Sequence, residues 1–268
     1  MNYDDVLKEL PHGQEGFAPC FAFSVHKSGS TMLHNMLHTV SEAAQIQAAS
    51  IPDMVFNHGI LDKDWSGDPD IIPYFRRNLL YYGFRAFPTV LNDPSIALSQ
   101  HRFVLLVRDP RDALVSEYFS YGKKGGSHSA PDKNADAFED AHSSALTRAQ
   151  DNEIDDYVLR ASRDLLGKLN AYRAHLNFDV GLLRRYEDAY FDKESLLRDT
   201  LAHLQIDVAP DLVERVAAQF DVRPTQEDDS QHIRKGTPGD HAEKLRPETI
   251  AALNDKFRDV GAFFGYTL

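Results

Sequence analysis

The run "HKSGST" (residues 26–31) puts a lysine, a glycine and three hydroxyls at one junction. Before it lies the apolar stretch "CFAFSV" (20–25), and after it a helical pattern of Met32, Leu33, Met36, Leu37 and Val40. A turn glycine and a helix cap suffice to join a strand to a helix, so Lys27 is surplus to that need. The first amides of a helix have no intrahelical acceptor, and the positive end of the helix dipole lies beside them. Hydroxyls and an ammonium group added there make an anion site. A capped turn with a solvated lysine uses the same residues, and the run is no Walker loop, because Gly29 is its only glycine.

Two more basic clusters stand out in a chain whose 29 Lys and Arg are outnumbered by 41 Asp and Glu, a formal charge of −12. One is Arg108 with Arg111 in "RDPRDALVS", and the other is Arg234 with Lys235 in "IRKGTPGD". Pairing of Arg108 and Arg111 with Asp109 and Asp112 is the alternative use of the first. The acidic balance argues against duplex nucleic acid as a partner, which needs a basic face, but not against a small anion. His34 and His38 in "HNMLH" have zinc-protease spacing, yet Asn35 stands where the general-base glutamate belongs. Two helix-surface histidines account for them, and no metal site is expected.

These groups need elements to hold them. "YGFRAFP" (82–88) reads as a second strand, "HRFVLLV" (101–107) as a fully buried one, and "DVGLLRRYED" as another. Asp109 suits the N-cap and Pro110 the first turn of the helix that follows. Ile154, Val158, Leu165, Leu169, Tyr172 and Leu176 line one face of a long helix, and further helices are expected near 211–220 and 247–263. Residues 51–78 read as loops and short helices, and 122–150, rich in Gly, Ser, Ala and Asp, as a lid or loop. Strands alternating with helices predict a three-layer α/β fold, a mostly parallel central sheet with helices on both faces. No low-complexity linker divides the chain, so residues 1–268 are expected to form one domain. The single cysteine, Cys20, reads as a buried thiol. The acidic, amphipathic N-terminus and the lack of a run of about 18–20 apolar residues predict a cytoplasmic protein with no membrane span.

In an open parallel sheet ligands bind off the carboxyl ends of the strands, which gathers Lys27, Arg108 and Tyr186 at one edge. At this point four ordered motifs resemble the sulfotransferase family. They are the lysine-serine-glycine-hydroxyl-hydroxyl loop, "RDPRD" with Ser116 eight residues after Arg108, "RRYED", and "IRKGTPGD". The resemblance covers nearly all of the chain after about residue 20. It implies a P-loop NTPase-like sulfotransferase fold and 3'-phosphoadenylyl sulfate as donor, with no metal. It further implies that Lys27, Ser28, Gly29, Ser30 and Thr31 hold the donor's 5'-phosphosulfate. Arg108 and Ser116, joined by Arg234, Lys235 and Gly236, would bind its 3'-phosphate, and Tyr186 would lie near the adenine. Lys27 would also be catalytic, stabilising the charge that grows on the bridging oxygen as a hydroxyl attacks sulfur in line.

The chain departs from the family at the general base. Small-molecule sulfotransferases carry lysine-threonine-histidine on the second strand, where this chain has Arg85, Ala86 and Phe87. Arg85 cannot accept a proton and is assigned to the sulfonate or an anionic acceptor. The base must come from elsewhere: His58 first, with Asp53 and His26 as alternatives. The acceptor expected is a small molecule or carbohydrate bearing a hydroxyl. A catalytically silent nucleotide-binding or scaffold protein is the alternative reading, and a P-loop kinase the other.

Overall fold

The computed structural model describes residues 3–122, 147, 149–223 and 236–268. Five short strands form one sheet: β1 (Cys20–Ser24), β2 (Ala48–Ala49), β3 (Leu80–Phe84), β4 (Phe103–Val107) and β5 (Gly181–Arg185). Every neighbouring pair is parallel, and the order is β2-β3-β1-β4-β5. The helices that matter here are α1 (Ser30–Ala44), α2 (Ile51–Asn57), α3 (Asp62–Trp65), α4 (Pro110–Gly122), α5 (Ile154–His175) and α6 (Tyr186–Phe191). They are followed by α7 (Lys193–His203), α8 (Pro210–Gln219), α9 (His241–Lys244) and α10 (Pro247–Phe263).

Side chains alternate across a strand, so the sheet sorts its residues by parity. Phe21, Phe23, Tyr81, Phe103 and Leu105 face one cluster that includes Val158, Leu165, Leu169 and Tyr172 of α5 and Leu253 and Phe257 of α10. Cys20, Ala22, Leu80, Tyr82, Val104 and Leu106 face the other, against Leu33, Met36, Leu37 and Val40 of α1 and the helices α7 and α8. The first face is aromatic, with Phe23 and Tyr172 ring centroids 5.6 Å apart, and the second is aliphatic. Burial on both faces explains why β4 reads as an unbroken apolar run. It also pushes the Cys20 thiol up to about 12.

The second strand lies earlier than expected. β3 ends at Phe84, and "RAFP" is already outside the sheet. The cause is a bulge. Phe21 pairs with Tyr81 but Phe23 with Phe84, so β3 spends one extra residue there. Gly83 occupies the break at φ +89°, a left-handed backbone that costs glycine least, and a Cβ would lie 2.1 Å from Ser50 Oγ. The Ser24 hydroxyl donates to the Phe84 carbonyl at 2.8 Å just beyond. The two-residue strand β2 was not expected, being too short to show an alternating pattern. Residues 51–78 hold α2, α3 and a 3₁₀ segment, as read.

From β1 the chain runs outward to β2, returns through β3 and crosses to β4 on the other side of β1. Connections diverge between β1 and β4, and their carboxyl ends bound the crevice where such sheets bind ligands. Of the span 122–150 read as a lid, all but residues 122, 147, 149 and 150 lie outside the described residues, and so do Arg234 and Lys235. Among the described residues no helix is long and apolar enough to cross a membrane.

Candidate functional site

The loop from Val25 to Gly29 lies at the crevice. Val25 N donates to the Leu106 carbonyl (3.0 Å) and His26 N to the Arg85 carbonyl (3.0 Å), which fastens the loop to the ends of β4 and β3. Two left-handed residues, Lys27 (φ +64°) and Gly29 (φ +84°), turn the chain into α1. Gly29 caps that helix with no side-chain hydrogen bond, and the first turn, which includes Ser30 and Thr31, carries no acid. The positive end of α1 is therefore not compensated by its own sequence.

Arg108 enters from the end of β4. It is 6% exposed, and its Nη1 donates to the Lys27 carbonyl at 3.3 Å. Its guanidinium lies over the Tyr186 ring, 4.5 Å from the centroid. Tyr186, first residue of α6, fills the space where a Gly29 Cβ would stand, 2.8 Å from its Cδ2. Its hydroxyl donates to the Gly236 carbonyl at 2.8 Å. Residues from all four motifs thus meet within one constellation. Two of its polar atoms, Ser28 Oγ and Arg108 Nε, are buried without a hydrogen-bond partner among the described residues. Such atoms cost about 1–3 kcal/mol each when left so. Donors held in that state beside a helix N-terminus fit an anionic ligand.

The acids of "RDPRD" do other work. Asp109 caps α4, its Oδ1 accepting Arg111 N at 2.9 Å, and pairs with the Arg111 guanidinium at 2.5 Å. Arg108 makes no ion pair among the described residues. Asp112, 1% exposed, accepts from Gly239 N (2.6 Å), His241 N (2.9 Å) and His241 Nδ1 (2.6 Å). Its carboxyl has a pKa near 2, because these bonds and the Arg108 charge outweigh the cost of burial. It clamps the end of "GTPGDH" against α4, and Ser116, one turn on, shares its face of the helix. Glu187 of "RRYED" makes a similar tie, accepting Asp109 N (2.8 Å) and the Tyr266 hydroxyl (2.8 Å).

Around the crevice the base candidates separate. His58 ends α2, with Nδ1 3.0 Å from the Met54 carbonyl of its own helix. At 1.5 Å per residue that is roughly 12 Å along the axis from Ser50. Asp53 is at the near end, its carboxylate accepting from the Ser50 hydroxyl (2.6 Å) and lying 3.2 Å from His34 Nδ1. Burial, reinforced by the Arg85 and His38 charges, holds His34 below the ordinary histidine value, with Asp53 opposing. Arg85 is exposed and serves this side of the sheet. His38 hydrogen-bonds the Tyr82 hydroxyl (3.0 Å), and the two histidine rings stand 6.4 Å apart.

On the opposite side His26 Nε2 lies 3.8 Å from Glu117 Oε2. Glu117 accepts from the Tyr157 hydroxyl (2.9 Å), and burial pushes its carboxyl up against the pull of Lys168, Tyr157 and Lys27. The sequence reading passed over Glu117. Its signal was a lone carboxylate inside the apolar stretch "ALVSEYF", directly after Ser116.

No family model matches the chain, and no curated protein does. Solved structures do. A mouse sulfotransferase, SULT7A1 complexed with PAP, superposes with a TM-score of 0.57 at 16% identity, over 98% of this chain and 94% of that one. A retinol dehydratase in a complex with retinol and PAP gives 0.52 at 15%, over 98% and 88%. The same kind of enzyme with androsterone and inactive cofactor PAP gives 0.50 at 16%, over 98% and 87%. Identities this low carry architecture and nothing finer, and that architecture is the sulfotransferase fold.

Proposed function

We propose that the protein is a sulfotransferase that uses 3'-phosphoadenylyl sulfate and a hydroxyl-bearing acceptor. The observation that carries the reading is the convergence of Lys27, Arg108, Tyr186, Gly29 and Gly236, with Ser28 Oγ and Arg108 Nε buried and without a hydrogen-bond partner among the described residues. When bound, 3'-phosphoadenylyl sulfate supplies the sulfuryl group and a phosphate leaving group. The amides of Ser30 and Thr31 and the Ser28 hydroxyl hold the 5' side. Arg108, with Ser116 and with Arg234, Lys235 and Gly236 of the late loop, holds the 3'-phosphate. Tyr186, assigned beside the adenine, is also the buried wedge that fixes Arg108 against the loop. Lys27 holds its proton toward the oxygen on which charge develops, where stabilisation counts most.

The acceptor's proton goes to His26, with Glu117 behind it to offset the imidazolium charge, rather than to His58. The sequence places His26 next to Lys27, and the fold places Glu117 within the electrostatic reach of Lys27. No metal enters this reading.

Calorimetry with 3',5'-bisphosphoadenosine, AMP and ATP, with and without Mg²⁺, tests it. The bisphosphate is expected to bind at least about tenfold more tightly than AMP, since charged hydrogen bonds contribute ~1.5–3 kcal/mol each. Equal affinities, or tighter Mg²⁺-dependent ATP binding, would remove the assignment. Tight bisphosphate binding with no transfer of labelled sulfate to any acceptor class would favour a silent binder.

A further inference from the structure

An open groove of ≈ 560 Å³ lies between the turn after β3 and the long helix α5. Its floor is apolar: Ala86 and Phe87 from the turn, with Gly167 and Ala171 from the helix. Its wall carries Arg160, Arg163 and Lys168 against one acid, Asp164. Asp164 is spent on Lys168 at 2.6 Å. Arg160 and Arg163 make no ion pair among the described residues. Two arginines on one wall with no ion pair among the described residues are a strong local excess in a chain of formal charge −12.

Gly167 adds a second observation. It sits mid-way in a 22-residue helix, where glycine costs about 1 kcal/mol against alanine. A Cβ there would meet nothing within 4 Å, so packing does not demand the glycine. Its effect is to widen the floor of the groove. A third is position. His26 N donates to the Arg85 carbonyl at 3.0 Å, directly before Ala86 of the floor, so the turn that floors the groove is bonded to the Lys27 loop. The volume is that of a small-molecule site.

We infer that this groove takes the acceptor, and that the acceptor is a small organic anion: a flat, largely apolar hydroxyl compound bearing a carboxylate or sulfate. Its apolar body lies on Ala86, Phe87 and Ala171. Its anionic group reaches Arg160 and Arg163, and its hydroxyl points inward toward His26 and Lys27. Planar guanidinium forks match a two-oxygen anion, which lysines would not do as well. The placement of the hydroxyl rests on the sulfotransferase reading; the anion preference does not.

The test uses two probes of one shape, 6-hydroxy-2-naphthoate and 2-naphthol, titrated by fluorescence into the full-length protein with and without 3',5'-bisphosphoadenosine. The naphthoate should bind at least about tenfold more tightly, and added salt should shrink the difference, because the contact is exposed. Arg160→Ala with Arg163→Ala, both on the exposed face of α5, should bring the naphthoate down to the naphthol level. The double variant should leave naphthol and bisphosphate affinities unchanged. Equal binding of the two probes to the wild type, or a preference that survives in the double variant, overturns the inference. Failure of the bisphosphate to bind removes the sulfotransferase reading instead, and the naphthoate preference is then still read without it.

Discussion

The guanidinium of Arg108 is stacked 4.5 Å above the Tyr186 ring, and that ring occupies the place of the Cβ that Gly29 lacks. The Arg108 cation is thereby locked to the loop before α1 through one buried aromatic. Arg108→Ala should erase the preference for 3',5'-bisphosphoadenosine over AMP, a loss of about tenfold or more, while AMP affinity stays nearly unchanged. Calorimetry on the variant reads both numbers. A retained preference would place the 3'-phosphate elsewhere.

Gly29→Ala meets two obstacles at once, a left-handed backbone at φ +84° and a ring 2.8 Å from the new methyl carbon. Stability should fall by about 1–3 kcal/mol in urea melts, and bisphosphate binding should weaken with it, since the ring must shift and Arg108 with it. Tyr186→Phe keeps the stack and loses only the bond to Gly236, so it should cost about 1 kcal/mol.

Asp112 carries a pH signature. Its carboxyl lies near 2 in the folded state against an ordinary 3.8, so the stability it contributes is present above about pH 4 and lost as pH falls toward 2. That contribution is about 2 kcal/mol. Asp112→Asn should lower the melting temperature at neutral pH, and the gap between wild type and variant should close as acid is added. A gap independent of pH would show that the carboxylate is not what matters.

Lys27→Ala should reduce turnover far more than bisphosphate affinity, because its charge matters most as the leaving oxygen develops its own. Turnover within a few-fold of wild type on a confirmed acceptor would end that role.

His26→Ala and Glu117→Gln should each cut turnover by roughly 10²-fold, the usual scale of general base catalysis, with bisphosphate affinity kept. His58→Ala should leave turnover within about twofold, since its ring is bonded to its own helix. The reverse pattern would return the base to His58.

Periodicity made the frame legible. β4, α5 and α10 stand close to where the apolar patterns put them, because buried strands and long amphipathic helices write their environment into residue type. Each of the four motifs contributes a residue to the constellation around Arg108, while Arg234 and Lys235 lie outside the described residues. Less legible was what the acids do. "RDPRD" reads as two possible ion pairs, and only the fold shows Asp109 taking Arg111 while Asp112 turns to Gly239 and His241, 127 and 129 residues away. Bonds at such separations leave no local pattern. The end of β3 was misplaced for a similar reason: one extra residue breaks the alternation on which strand boundaries are read.

That extra residue has a directional effect. Were Gly83 in regular alternation instead of a bulge, Phe84 would fall on the aliphatic side with Tyr82, and Arg85 would emerge over α5. With the bulge, Phe84 rejoins Tyr81, and Arg85 leaves the sheet on the side where its charge reaches His34, while Ala86 and Phe87 are delivered to the groove. The bulge at Gly83 therefore sets the side of the exit, so that the groove is floored by methyl and phenyl groups and its cations come from the helix opposite. Forcing Gly83 out of its left-handed backbone, as Gly83→Val would, should disturb the groove without touching a residue that lines it.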